Sequence, residues 1–341
     1  MSIVGPVEPA RRALRHVRPD LLVVAVLAAG CAWEGPRSSL SPRSDLARLI
    51  FEVYGIVTWA TLLIALVVSV VLAWVLLRFR ARTGAPIPRQ TRGHTLLEIS
   101  WTIAPALALL VIAIPTIQVI FRTQGAPPPG ALEVVVRGWQ WWWEFRYPSL
   151  DVVTANELHL PVGRPVMLRL EGPDVIHSFW VPQLGGKRDV VPGRVNFIAL
   201  TPDAAGEYLG QCAEFCGASH ALMGIRVIVE PPEAFARWVA AQQTAPPQPT
   251  GAAADGKAVY TRSACVGCHT IRGVSAGTLG PDLTHFGSRK TLAAGLRPNT
   301  PETLAAWLRD PPALKPGVKM PNLGLSDADA RALTAYLLSL K

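Results

Sequence analysis

The chain has 341 residues, more than one ordinary domain needs and enough for two or three. Half of the residues are hydrophobic and only 17% are charged, which excludes a polar, solvent-borne or disordered chain and points to a membrane portion. The net charge of +9 divides into +7 over residues 1–125, −3 over 126–230 and +5 over 254–341, so parts of opposite sign are joined and no nucleic-acid partner is expected.

Residues 1–31 read as an export signal. Arg11, Arg12, Arg15 and Arg18 precede the apolar run Leu21 to Gly30, which is too short to span a bilayer and ends at Cys31. Leu27-Ala28-Ala29-Gly30-Cys31 resembles a bacterial lipobox, implying cleavage before Cys31 and a lipid on its sulfur. Ala28 stands where leucine is usual, so a plain signal or an uncleaved apolar anchor stays open. Two longer apolar runs follow, Val53 to Leu77 and Ile99 to Phe121, and neither contains a charged residue. Both exceed the roughly 20 residues a membrane helix requires. The second tolerates Pro105 and Pro115, because neighbouring helices can satisfy the freed carbonyls. Arg78, Arg80, Arg82, Arg89 and Arg92 between the runs face only the acid Glu98, which sets that connection in the cytoplasm and everything after Phe121 outside.

From Ala131 to Val229 the pattern changes to short β-branched and aromatic runs broken by proline and glycine. Leu132 to Val136, Glu157 to Leu160, Pro165 to Leu170, Arg194 to Leu200, Gly206 to Leu209 and Ile225 to Val229 read as strands of a β-sandwich or Greek-key barrel. Residues 241–254 carry no apolar periodicity and no charge through Ala254, and read as a tether. A helical module follows over 255–341, with helices opening at Thr300-Pro301-Glu302 and Ser326-Asp327-Ala328-Asp329.

Two stretches carry chemistry. Gln211 to Met223 packs Cys212, Cys216, His220 and Met223 close together, and soft sulfur with imidazole and a thioether suits copper in an electron-transfer site. His177 lies at the expected end of a strand, and a second thiolate beyond the one a single copper needs suggests two metals sharing both sulfurs. A Cys212/Cys216 disulfide and a zinc site are the alternatives. The second stretch, Cys265-Val266-Gly267-Cys268-His269, is the pattern for covalent haem attachment, with Cys265 and Cys268 as thioethers and His269 as an axial ligand. Met320 is the only methionine downstream and the expected sixth ligand, raising the iron potential. A thioredoxin-like pair or half a zinc site is the alternative. His16, His94, His159 and His285 have no ligand-like neighbours.

These motifs together resemble subunit II of a haem-copper cytochrome c oxidase of the kind with a cytochrome c domain fused at its C-terminus, over nearly the whole chain. The resemblance implies a multidomain membrane protein: a two-helix transmembrane hairpin within residues 32–125, an all-β cupredoxin-like sandwich over 126–240 and an all-α cytochrome c domain over 255–341. It implies a binuclear copper centre bridged by Cys212 and Cys216, with His177 and His220 terminal, Met223 axial and Glu214 ligating through its carbonyl. The Glu214 side chain would reach a magnesium at the contact with subunit I. In Gly138-Trp139-Gln140-Trp141-Trp142-Trp143, which is similar to the family's aromatic stretch, Trp141 would admit electrons. Trp139 departs from the smaller or polar residue expected there, and an aromatic rim at the membrane interface remains the alternative. Leu97-Glu98-Ile99-Ser100-Trp101-Thr102 resembles the start of the family's second helix, which makes Glu98 the mouth of a proton path, although the helix dipole alone would favour an acid there. The resemblance also sets Pro281 beside the haem ligand His269.

The function so implied is electron transfer from a c-type cytochrome through haem c and copper to subunit I of a proton-pumping oxidase in a bacterial inner membrane, with subunit III and lipid as further partners. The copper and haem domains would stand on the extracytoplasmic side. An equivalent subunit of a copper-containing nitric oxide reductase and a membrane-tethered electron carrier are the alternatives. The sign reversal across the tether adds the expectation that the +5 haem domain docks transiently on the −3 copper domain.

Overall fold

The structure, a computed structural model, describes residues 35–80, 84, 90, 92–125 and 127–341. The expected signal over 1–31, its Cys31, and Arg82 and Arg89 lie outside the described residues.

Two long helices come first, α1 (Asp45–Arg78) and α2 (Thr95–Thr123), each wider than the apolar run that predicted it. Their large apolar side chains are exposed on every face, as lipid-facing helices require, and both are long and apolar enough to cross a membrane. The N-terminus of α1 is built into the sandwich that follows. Ser44 caps the helix by accepting from Ala47 N at 3.0 Å, and its hydroxyl donates to Leu184 O at 2.7 Å. The Asp45 carboxylate accepts from Thr201 N at 2.7 Å, and Leu46 is buried in the sandwich core. One end of the hairpin is thereby fixed to the domain that carries the metal ligands.

The sandwich has two five-stranded sheets, ordered β3-β2-β1-β5-β8 and β4-β10-β9-β6-β7. Its strands are β1 (Leu132–Trp139), β2 (Trp142–Tyr147), β3 (Val152–Ala155), β4 (Glu157–Pro161), β5 (Val166–Glu171), β6 (His177–Trp180), β7 (Arg188–Val190), β8 (Val195–Leu200), β9 (Gly206–Cys212) and β10 (Gly224–Glu230). The pairs β1/β5 and β4/β10 are parallel and the rest are antiparallel. β5 shows why the face is legible: Val166, Leu168 and Leu170 are buried while Met167, Arg169 and Glu171 between them are not. Trp143, Phe145, Leu158 and Val227 close the core between the sheets.

The tether expected over 241–254 is helical at both ends. α3 (Pro232–Gln243) packs its Trp238 on His159, ring centroids 4.2 Å apart, and α4 (Ala252–Arg262) opens the last module, leaving 244–251 as the irregular connection. That module contains α5 (Cys265–Cys268), α6 (Pro301–Arg309), α7 (Pro311–Leu314) and α8 (Asp327–Ser339) around Tyr260, Leu304, Leu308, Leu333, Tyr336 and Leu337. α4 crosses α8 so closely that a Cβ on Gly256 would lie 2.0 Å from Ala332 O. Only glycine allows that crossing.

Candidate metal centre

β9 ends at Cys212, the chain loops through Glu214 and Cys216, and a single 3-10 turn at His220–Leu222 delivers Met223 just before β10 begins. β6 starts at His177 and lies beside β9, with Phe179 paired to Cys212. The sheet therefore brings a histidine 35 residues upstream to the ligand loop. Cys212 Sγ and Cys216 Sγ stand 3.8 Å apart, His177 Nδ1 is 3.9 Å from Cys212 Sγ and His220 Nδ1 is 3.6 Å from Cys216 Sγ. Met223 Sδ lies 3.9 Å from Cys216 Sγ, and Glu214 O is 3.3 Å from Cys212 Sγ. All six residues read from the sequence converge.

The sulfurs are too far apart for a disulfide, whose S–S bond is about 2.05 Å, and both thiols are free. At a metal–thiolate distance of about 2.3 Å, sulfurs 3.8 Å apart subtend about 110° at a shared ion, so both can ligate the same metal. The donor set of two thiolates, two imidazoles, a thioether and a carbonyl fits copper better than zinc, for which the thioether is a poor ligand.

The protons of the ligand set are unequally held. Donation from the Cys216 thiol holds Cys212 far below the usual thiol range, at about 3, with His177 adding to the effect, while sharing that hydrogen bond pushes Cys216 up. Burial works against the charge on His177, but the Asp174 carboxylate, 2.9 Å from Nε2, and the Cys212 sulfur together outweigh it and the imidazole is pushed up. Asp174 also accepts from Gln140 N at 2.8 Å and Val175 N at 2.7 Å. These bonds hold it below its ordinary value against the upward push of burial. Asp174 thus fixes the ring that must present Nδ1 to the metal. Sequence reasoning missed it, although a carboxylate three residues before a ligand histidine is a usable signal. Trp143 packs edge-on to the same ring at 6.0 Å, and Gly138 leaves room for it, since a Cβ there would sit 3.0 Å from His177 Cδ2.

Trp141 lies in the turn between β1 and β2, 6% exposed, and its Nε1 donates to Cys216 O at 3.0 Å. The aromatic stretch forms this hairpin: Trp139 stacks on Trp142 at 5.9 Å and Trp143 is wholly buried. Glu98 lies on α2, in its first turn, with Oε1 accepting from His94 N at 3.3 Å.

In the last module Cys265 and Cys268 lie on α5 and His269 follows as its cap. His269 Nδ1 donates to Pro281 O at 2.8 Å, which leaves Nε2 as the ligating nitrogen, and a Cβ on Gly280 would press 2.6 Å from the ring. Met320 packs against the same apolar cluster as Cys265. These residues fit a covalently held haem.

The module sits against the ligand loop. Lys315 Nζ donates to Trp141 O at 2.7 Å, Ser219 Oγ donates to Pro316 O at 2.6 Å, and Lys319 pairs with Asp174 at 3.7 Å. At the free edge of β4, the buried Glu157 carboxylate accepts from Lys290 N and Thr291 N, both at 2.9 Å, and from Thr291 Oγ1 at 3.0 Å. Lys290 also pairs with Glu207. Opposite charges do meet, as the segment charges imply, but the contact is built and partly buried.

Family models agree with this partition. One described as "Cytochrome C oxidase subunit II, transmembrane domain" matches residues 44–119, one for its periplasmic domain matches 150–230 and one for cytochrome c matches 253–341. The chain is 37% identical over 322 residues to cytochrome c oxidase subunit 2 of Alkalihalophilus pseudofirmus, covering 92% of this chain and 93% of the relative. It is 34% identical over 353 residues to that of Bacillus subtilis, covering 96% and 99%. The crystal structure of the periplasmic domain of subunit II of cytochrome oxidase from Bradyrhizobium japonicum is similar at 32% identity, with a TM-score of 0.33, over 34% of this chain and 96% of that one.

Proposed function

Because the chain belongs to the cytochrome c oxidase subunit 2 family, with a cytochrome c domain at its C-terminal end, we propose that it receives electrons from an external c-type donor and delivers them to subunit I of a proton-pumping oxidase. The observation that carries this reading is the convergence of His177, Cys212, Cys216, His220 and Met223 on one point, with Trp141 bonded to the ligand loop. A copper pair held there and a haem held by Cys265, Cys268, His269 and Met320 would each supply one-electron chemistry.

The chain's own residues set the conditions for it. His177, Cys212, Cys216, His220, Met223 and the Glu214 carbonyl would hold the copper. Burial of both cysteines and of Met223 keeps water away, which limits reorganisation when charge moves. An open cleft bordered by Gln211, Cys212, Ala213 and His220 on one side and by Ala47 and Ile50 of α1 on the other supports docking of subunit I beside the membrane, where Glu214 would also meet magnesium. Glu98, at the start of α2, is the proton-path residue in this reading. Subunit III and lipid complete the assembly, and the sandwich and haem module face the extracytoplasmic side of a bacterial inner membrane.

Metal analysis of the purified full chain tests the assignment. Two coppers and one haem iron per chain are expected; one copper, or zinc, overturns it. Oxygen uptake by the co-purified complex on adding reduced c-type cytochrome separates an oxidase from a nitric oxide reductase or a simple carrier.

A further inference from the structure

The segment Lys315-Pro316-Gly317-Val318 is a tight turn closed by Val318 N donating to Lys315 O at 3.1 Å. Proline at its second position and Gly317 at φ 77° in its third are the chemistry of a type II turn. Its tip rests on the copper-ligand loop. Gly317 lies against Trp141 so closely that a Cβ would be 2.9 Å from ring atom Cη2, and Gly217 of the ligand loop, φ 115°, approaches the same ring, where a Cβ would be 2.9 Å from Cζ2. Two glycines, one from each domain, thus let both backbones pack directly on the indole. With Trp141 6% exposed, no external protein reaches the ring.

Lys315 holds the turn in place. Its side chain is 2% exposed, and Nζ donates to Trp141 O at 2.7 Å and to Ala293 O at 2.8 Å. Both acceptors are main-chain carbonyls, and a buried ammonium without a carboxylate partner is costly; burial pushes Lys315 down to about 7. A second observation points the same way. Ala293 and Ala294 both adopt positive φ, 54° and 64°, a conformation alanine rarely takes. Ala293 O accepts from Lys315 within the haem module, and Ala294 O accepts from Gly224 N of β10 at 3.0 Å across the domain contact. A strained backbone segment and a buried charge thus each bond the copper domain, through Ala294 O to Gly224 N and through Lys315 Nζ to Trp141 O.

We propose that Lys315 is a positioning residue for electron delivery, locking the Lys315–Val318 turn, and with it the segment leading to Met320, onto Trp141. It rests on the electron-admitting role read above for Trp141. The attached module then occupies the approach to Trp141 permanently, and an external donor must reduce the haem first.

The test uses the full chain in its complex, loaded with copper and haem, and the Lys315→Met variant, which keeps the length and removes the donor. Hydroxyl-radical labelling of Trp141 reads the lock, and the rate of haem-to-copper transfer after photoreduction of the haem reads its consequence. Unchanged haem and copper spectra certify both sites. Trp141 labelling should rise severalfold and transfer should slow by about tenfold or more, since a misplacement of about 1 Å in an approach geometry costs up to about 10²-fold. Unchanged labelling overturns the lock. Raised labelling with an unchanged rate keeps the lock and overturns the role of Trp141. If Lys315→Met does not assemble, Gly317→Val lifts the turn off the ring with Lys315 intact. Increased labelling and slower transfer in that variant support the proposal, and no change in either overturns it.

Discussion

Glu157 is the carboxylate on which the union of the two extramembrane domains most depends. It is 2% exposed, and its oxygens receive two backbone N–H groups and a hydroxyl from Lys290 and Thr291 of the haem module. A hydrogen bond to a charged group is worth about 1.5–3 kcal/mol, and an orphaned buried donor costs about 1–3 kcal/mol. Glu157→Ala strands both backbone donors at once, and allowing for water entering the space, the interface should weaken by about 4 kcal/mol. Glu157→Gln keeps one acceptor oxygen and should lose about 1–2 kcal/mol. The assay is a urea titration of the detergent-solubilised chain, followed by haem absorbance for the last module and tryptophan fluorescence for the sandwich. The wild type should unfold in coincident transitions, and the alanine variant should split them, the haem module melting first. Coincident transitions and a loss below about 1 kcal/mol in Glu157→Ala would refute a built interface.

Gly256→Ala forces a Cβ to within 2.0 Å of Ala332 O, which the helix crossing cannot absorb; a loss of about 3 kcal/mol or more and poor haem incorporation are expected, read by thermal melts and haem content. Asp174→Asn removes the charge that orients His177 and should lower copper affinity about 10–100-fold, measured by competition with a chelator, while haem content stays unchanged. Haem-to-copper transfer should be nearly flat from about 0.01 to 1 M salt, over which the Debye length falls from about 30 to about 3 Å, because the domains stay docked. A steep fall with salt would restore the picture of transient, charge-steered docking.

The ligands were legible in the sequence because Cys212, Cys216, His220 and Met223 lie within one short loop, so chemistry and spacing suffice; His177 was expected at the end of a strand and stands instead at the start of β6. β2 and β3 were not legible. Trp142 to Tyr147 is buried on most of its length and reads as an aromatic cluster without alternation, and its strand character comes only from pairing with β1. The tether was misread for a related reason. Residues 241–254 show no periodicity because α3 ends and α4 begins within them; the end of α3 is held by Gln242, buried and bonded to His285, and α4 by Val259 and Tyr260. Lys315 had no sequence signal, since Lys-Pro-Gly predicts only an exposed turn. Its burial arises from two domains meeting, a long-range fact that local pattern cannot contain.

In the proposed function this chain relays electrons from its own haem to its own metal centre. Rapid photoreduction of the haem in the purified, metal-loaded chain, with copper and haem absorbance followed together, tests it most directly. A single first-order phase is expected, independent of protein concentration, with haem reoxidation matching copper reduction one for one. Reoxidation that scales with protein concentration, or haem that stays reduced while copper stays oxidised, would contradict it.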